Sequence, residues 1–161
     1  MGAIVDLVRA VVGVKPPPGY STGRMVIAGV VAAAYAERDA LGSQWEIPVP
    51  RKSRLQSATL WDLSDQNLQV NLTIADRPFD TKIADNAPFA LSDDDALKVV
   101  YQVEFIIFTD WVNNRASFVD QIGKRLTFPD GVCYLQAFVP GAPTIAAGAL
   151  PVVQLEFEPD E

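Results

Sequence analysis

Carboxylates are the chemistry-bearing side chains this sequence holds in quantity: Asp93, Asp94 and Asp95 stand in a row, with Asp76, Asp80 and Asp85 shortly before them. Such a cluster could offer oxygens to a hard cation such as Ca²⁺, which takes about six to eight of them. The order is not that of a helix-loop-helix calcium site, which alternates its ligands and closes on a distal Glu. A second reading needs no ion. Carboxylates directly after Ser92 are what a helix start favours, because the serine oxygen accepts from an orphan amide and negative charge opposes the positive end of the helix. A short capped helix is therefore expected over Ser92 to Lys98, with no metal site and no cofactor.

Nucleophilic chemistry finds less support. The 161 residues include no histidine, so the commonest general base and the favoured ligand of zinc or haem iron are missing. Ser, Thr and Lys are present, but neither G-x-S-x-G, S-x-x-K nor a glycine-rich phosphate loop occurs. Cys133 is the single cysteine, so it forms no internal disulfide, and its apolar strand-like setting predicts a buried, inert thiol. A pair of carboxylates of the glycosidase kind stays open, since a fold can bring any two of the 20 acids together. The expectation is a protein that is not an enzyme, with no catalytic residue.

Binding chemistry has three candidate carriers. Trp45, Trp61 and Trp111 with Tyr20, Tyr35, Tyr101 and Tyr134 could line a sugar-binding face, although core packing is the plainer use of such residues. Tyr101 and Tyr134 sit in strand patterns, whereas Trp111, beside Asn113-Asn114-Arg115, reads as a loop or strand-end residue. Arg51, Lys52 and Arg54 form the one basic cluster, too small for a nucleic-acid patch but able to cover a solvated edge or pair with acids of another subunit. The third carrier is the N-terminal stretch, where Ile4, Leu7, Val8, Val11 and Val12 fall on one helical stripe with Asp6 and Arg9 elsewhere. The candidate partner-binding residues are thus Ile4, Leu7, Val8, Arg9, Val11 and Lys15 in that stretch, with Arg51, Lys52, Arg54 and Trp111.

Charge narrows the partner. Thirteen basic residues against 20 acidic ones give a net charge of −7, which opposes phosphate binding and makes protein, not nucleic acid, the expected partner. The charge is unevenly spread: residues 1 to 54 are net +3 and the remainder net −10. No stretch reaches the roughly 18 apolar residues of a membrane span, since Ile4 to Val14 is broken by Asp6 and Arg9 and stopped by Pro16. The first residues also lack the basic start and cleavage site of a secretory leader. The chain is expected to stay in the compartment that makes it, away from membranes.

These residues need elements to position them. The helical stripe ends at Lys15-Pro16-Pro17-Pro18-Gly19, an extended and donor-poor spacer, so residues 1–24 read as an N-terminal arm and residues 25–161 as the domain. From Met25 onward short strand-like runs take over: Arg24 to Ala34, Leu55 to Leu63, Leu68 to Ala75, Val99 to Phe108, Arg125 to Phe128, Val132 to Val139 and Val152 to Glu158. Leu68 to Ile74 and Val153 to Glu158 alternate apolar and polar, the mark of half-buried antiparallel strands, and Tyr101, Val103, Phe105 and Ile107 are expected on one face. Pro- and Gly-bearing connectors such as Pro129-Asp130-Gly131 separate them. The fold class is mainly β: an antiparallel β-sandwich or jelly roll with an extended arm and one or two short helices.

Four stretches carry a resemblance. They are Tyr35 to Gly42, with Tyr, Asp and Gly spaced Y-x-x-x-D-x-x-G; Ile47-Pro48 with the basic cluster and Leu55 to Leu60; Leu72 to Pro78; and Ala84 to Asp95. Over roughly residues 30 to 108 the chain resembles the small jelly-roll decoration, or cement, proteins of tailed-bacteriophage heads. The resemblance implies a structural protein on the capsid exterior, made in the host cytoplasm, that clamps neighbouring major capsid protein subunits as a dimer or trimer. Other phage structural roles (tail, adaptor or head-fibre base) and a carbohydrate- or receptor-binding sandwich are the alternatives.

Overall fold

A computed structural model describes residues 19–160. Its strands are β1 (Tyr20–Ser21), β2 (Met25–Val26), β3 (Ala40–Pro48), β4 (Lys52–Asp62), β5 (Val70–Ala75), β6 (Val99–Phe105), β7 (Thr109–Asp110), β8 (Arg115–Val119), β9 (Lys124–Thr127), β10 (Val132–Phe138) and β11 (Val152–Pro159). One helical turn, α1 (Asp93–Ala96), precedes β6. The larger sheet runs β1-β11-β4-β8-β7, with β2 also on β11 and β9 also on β4; the smaller runs β3-β10-β5-β6.

The order of pairing defines the architecture. Taking β1 and β2 as one interrupted strand and setting aside the short β7 and β9, the first main strand pairs with the last, β3 with β10, β4 with β8, and β5 with β6. The chain is therefore one long antiparallel ribbon folded over on itself, which makes two Greek keys and a jelly roll. Period-two alternation does the folding: Val153, Leu155 and Phe157 of β11 point into the core while Gln154, Glu156 and Glu158 point out. In the core they join Leu55 and Leu60 of the neighbouring β4 and Leu72, Ile74, Phe105 and Leu135 of the smaller sheet, together with Phe128, whose ring meets that of Phe157 edge to face at 6.3 Å. Each such buried side chain contributes about 1.5–3 kcal/mol relative to exposure.

Several expected elements shift. The run Arg24 to Ala34 supplies only β2, because Gly29 sits at φ 78° where the chain turns off the sheet, and Val30 N–H closes that turn on Ile27 O. The strand β3 has no clean apolar alternation: Gly42 and Ser43 interrupt it, so the sequence marked only its end, Ile47-Pro48. β8 escaped notice because its two buried residues, Ala116 and Ser117, are small or polar. β6 ends at Phe105, which leaves Ile107 exposed instead of on the core face with Val103 and Phe105. Tyr20 and Ser21, which the sequence placed in the arm, pair with Phe157 and Glu156 of β11. The stripe of Ile4, Leu7, Val8 and Val11, with Arg9 and Lys15, lies outside the described residues.

Candidate functional site

The acidic cluster resolves into a helix cap and a buried anchor. Ser92 Oγ accepts from the Asp95 amide at 3.1 Å, as the cap requires, while Asp93 and Asp94 face solvent. Asp95 turns inward and is fully buried. Its carboxylate accepts from the Asp80 amide at 2.7 Å, the Thr81 amide at 3.0 Å and Lys98 Nζ at 2.9 Å. The Lys98 hydrogen bond, helped by the two amides, holds the Asp95 carboxyl well below the usual carboxylate range despite the opposing effect of burial. Lys98 Nζ also reaches the exposed Asp80 Oδ2 at 2.9 Å, and its two carboxylate partners push the ammonium pKa up. Among the described residues no group of three or more His, Cys, Asp or Glu side chains is placed to hold a metal ion.

Three further carboxylates are spent in the same way. Buried Asp62 accepts from the amides of Ser64, Gln66 and Leu68 at 3.0–3.1 Å and shapes the turn between β4 and β5, in which Asp65 and Asn67 take positive φ. Asp39 accepts from the Ala36 amide at 2.8 Å. Asp85 receives the Gly42 amide at 2.6 Å and the Tyr35 hydroxyl at 2.9 Å. The Y-x-x-x-D-x-x-G spacing thus builds a corner: Tyr35 is the buried post, Asp39 closes its own turn, and Gly42 lets the chain cross Ala28. Cys133 is buried in β10, and burial pushes its thiol pKa far up, away from reactivity.

The basic cluster and Trp111 lie at opposite ends of the larger sheet. Arg51 and Lys52 are exposed at the start of β4, and Arg54 pairs with Asp160 of its own chain at 3.4 Å, a partner it shares with Arg125. Trp111 lies beyond β7, next to the far end of β4, and the 11 residues of β4 separate the two by roughly 33 Å. Among the other aromatics, Tyr35 is buried, Trp45 is partly buried with its indole nitrogen lacking a partner, and Trp61 lies under the Arg24 guanidinium at 5.2 Å.

What the sequence did not mark is a row across the outer face of the larger sheet. Val26 pairs with Val152, Val152 with Trp61, Trp61 with Ala116, and Ala116 with Thr109, so five strands place these residues side by side. Alternation puts them opposite the core, since their neighbours Met25, Val153 and Leu60 pack inward; Val26 is exposed, Val152 and Trp61 are partly exposed, and Ala116 is buried. At one end of the row the Phe118 and Trp111 rings meet edge to face at 6.2 Å and are 50% and 48% exposed. Beside them Val112 is 82% exposed and sits at φ 77°, a region that costs a β-branched residue about 1–2 kcal/mol. At the other end a shallow groove of about 470 Å³ is lined by Val26, Val31, Leu63, Leu150 and Val152. The opposite half of the same outer face is polar: Ser21 Oγ donates to Glu156 at 2.8 Å, Gln56 bonds Glu158, and Arg54 and Arg125 meet at Asp160. The outer face is thus apolar at one end of its strands and charged at the other. The pattern was hidden because its members come from five separate strands.

No protein-family model matches the chain, and no curated protein matches it. Among solved structures, the crystal structure of the infectious bursal disease virus VP2 subviral particle aligns with 89% of this chain at 11% identity and a TM-score of 0.22. This chain spans only 37% of the length of that one, and at such a score the likeness carries no argument.

Proposed function

We propose that the protein is a non-enzymatic virion structural protein, a decoration or cement protein that sits on the outside of a phage capsid and clamps neighbouring major capsid protein subunits. The observation that carries this reading is the apolar row Val26-Val152-Trp61, continued by exposed Phe118 and Trp111, on a sheet face that solvent would otherwise make polar, which is the mark of a contact surface. The jelly roll supports it by analogy of fold only, since lectins and other proteins use the same architecture. The carboxylates support it too: Asp39, Asp62, Asp85 and Asp95 are engaged by backbone amides, with a tyrosine or a lysine added at two of them, in turns that hold the fold. The sequence resemblance over residues 30 to 108 points the same way.

Copy number in purified particles tests the reading. A decoration protein is expected at a stoichiometry close to that of the shell subunits, and particles lacking it should lose heads on heating or chelation. A few copies per particle would assign it instead to a tail, adaptor or fibre base. The carbohydrate alternative predicts glycan retention that Trp111→Ala abolishes; the half-exposed ring of Trp111, edge-on to Phe118, is the one feature in its favour.

A further inference from the structure

The two outer faces of the sandwich differ in what covers them. Over the smaller sheet lies the chain's own segment 79–89: Gln136 Nε2 donates to Ile83 O at 3.1 Å, the Phe79 amide donates to Gln44 Oε1 at 3.0 Å, and the Phe89 and Phe138 rings stack at 4.6 Å. The larger sheet keeps apolar side chains in the open, with Val26 54%, Phe118 50% and Trp111 48% exposed. Its outer face spans five strands and, along β4, 11 residues, which is about 800 Å² of sheet. That is roughly what each partner of a stable interface contributes.

The features of this face are laid out as mates of one another. At the apolar end the groove lies on the β2 and β11 side of β4, and the Trp111 and Phe118 rings lie on the β8 side. They stand at matching heights along the strands, since Trp61 pairs with Val152 on one side and Ala116 on the other. At the polar end the charges divide in the same way: Glu158 on β11 and Arg125 on β9 flank Arg54 of β4. A half-turn about an axis lying in the face along β4 preserves height and exchanges the two sides. It lays the ring pair over the groove and Arg125 over Glu158, twice each, as a self-complementary contact requires. Arg54, close to that axis, has its charge met by Asp160 of its own chain. Two sheet faces pack at about 10 Å with their strands roughly aligned, which is the arrangement this axis produces.

We propose that the outer face of the larger sheet is the two-fold interface of a dimer of this chain, in which the Trp111 and Phe118 rings of each copy seat in the groove of the other and Glu158 of each meets Arg125 of the other. The contact surface of the decoration reading thus gains an occupant, and the use of the dimer as a clamp rests on that reading. Dimerisation itself is a property of the purified chain and is read without any particle, so its failure is distinct from a failure of the copy-number test.

The test uses the full chain. Sedimentation equilibrium of the wild type is expected to show a dimer and no larger species, because a two-fold contact closes on itself. Trp111→Lys in the ring pair and Val31→Glu at the groove rim, where Val31 is 60% exposed, are each expected to weaken the dimer by about tenfold or more. An equimolar mixture of the two variants should regain it, because one seat of the mixed dimer is intact and the other pairs opposite charges. Arg125→Glu and Glu158→Arg should each weaken it several-fold and likewise restore it when mixed, since every cross-copy pair is then of opposite sign. Recovery on mixing also shows that each variant has folded. A wild type that stays monomeric overturns the proposal. A dimer that survives Trp111→Lys but not Val31→Glu overturns it too, because the two grooves then meet each other. So does a mixture of Trp111→Lys and Val31→Glu that stays dissociated while both variants melt like the wild type, since rings and groove then do not meet.

Discussion

The Tyr35 hydroxyl and the Asp85 carboxylate meet at 2.9 Å across 50 residues of sequence. The same carboxylate takes the Gly42 amide at 2.6 Å and the Val31 amide at 3.3 Å, so one side chain from the loop before α1 ties the approach to β3 to its first turn. Both residues fall in stretches on which the expected likeness to decoration proteins rests. Their use here is architectural: they fix a corner of the jelly roll.

Tyr35→Phe is expected to cost about 1–2 kcal/mol, since it leaves the partly buried Asp85 without its hydroxyl donor. Burial, reinforced by Asp85, pushes the Tyr35 pKa well above that of a free tyrosine. The folded pKa is raised, so the stabilisation is complete below the unfolded value of about 10 and is lost as pH climbs through the folded one. Urea midpoints measured from neutral pH into alkali should fall for the wild type and fall less for Tyr35→Phe.

Gly42→Ala is expected to be among the most damaging single substitutions, at about 2–4 kcal/mol. Gly42 lies at φ 79°, and a Cβ there would come within 2.2 Å of the Ala28 carbonyl oxygen, which is backbone and cannot swing aside. Gly123→Ala, also at positive φ but with nothing within 4 Å, should cost only the conformational part. Comparing the two denaturation curves separates close approach from backbone strain.

Asp95→Asn should lower the melting temperature at neutral pH, because Lys98 loses its buried counter-charge and Asp80 and Thr81 amides lose a charged acceptor. The folded pKa of Asp95 is depressed, so its contribution is present above the ordinary carboxylate range, about 4, and is lost as pH falls below it. Melts recorded across acid pH should show the wild type converging towards the variant.

Removal of residues 1–15 should leave a folded domain with a melting temperature close to that of the full chain, since among the described residues sheet pairing begins at Tyr20. The truncated protein is nevertheless expected to attach to particles more weakly, because an arm that adds a second attachment would raise the effective concentration of the first. Attachment at full affinity would exclude the arm from the assembly.

Local patterning alone determined the β character of the chain, the strands at β5, β10 and β11, the capped turn at Ser92 and the burial of Cys133. Alternation, turn residues and a serine before acids act within a few residues, so they can be read in order along the chain. What tertiary structure decided is which distant groups become neighbours. The inward turn of Asp95, the Tyr35-Asp85 corner and the pairing of Arg54 with Asp160 depend on segments brought together only by the wrapped ribbon. β3 and β8 formed without alternation of their own because long partners, β10 and β4, supplied the register. The apolar row from Val26 through Val152 to Trp61 follows the same rule: each strand contributes one residue, and cross-strand pairing makes them a surface.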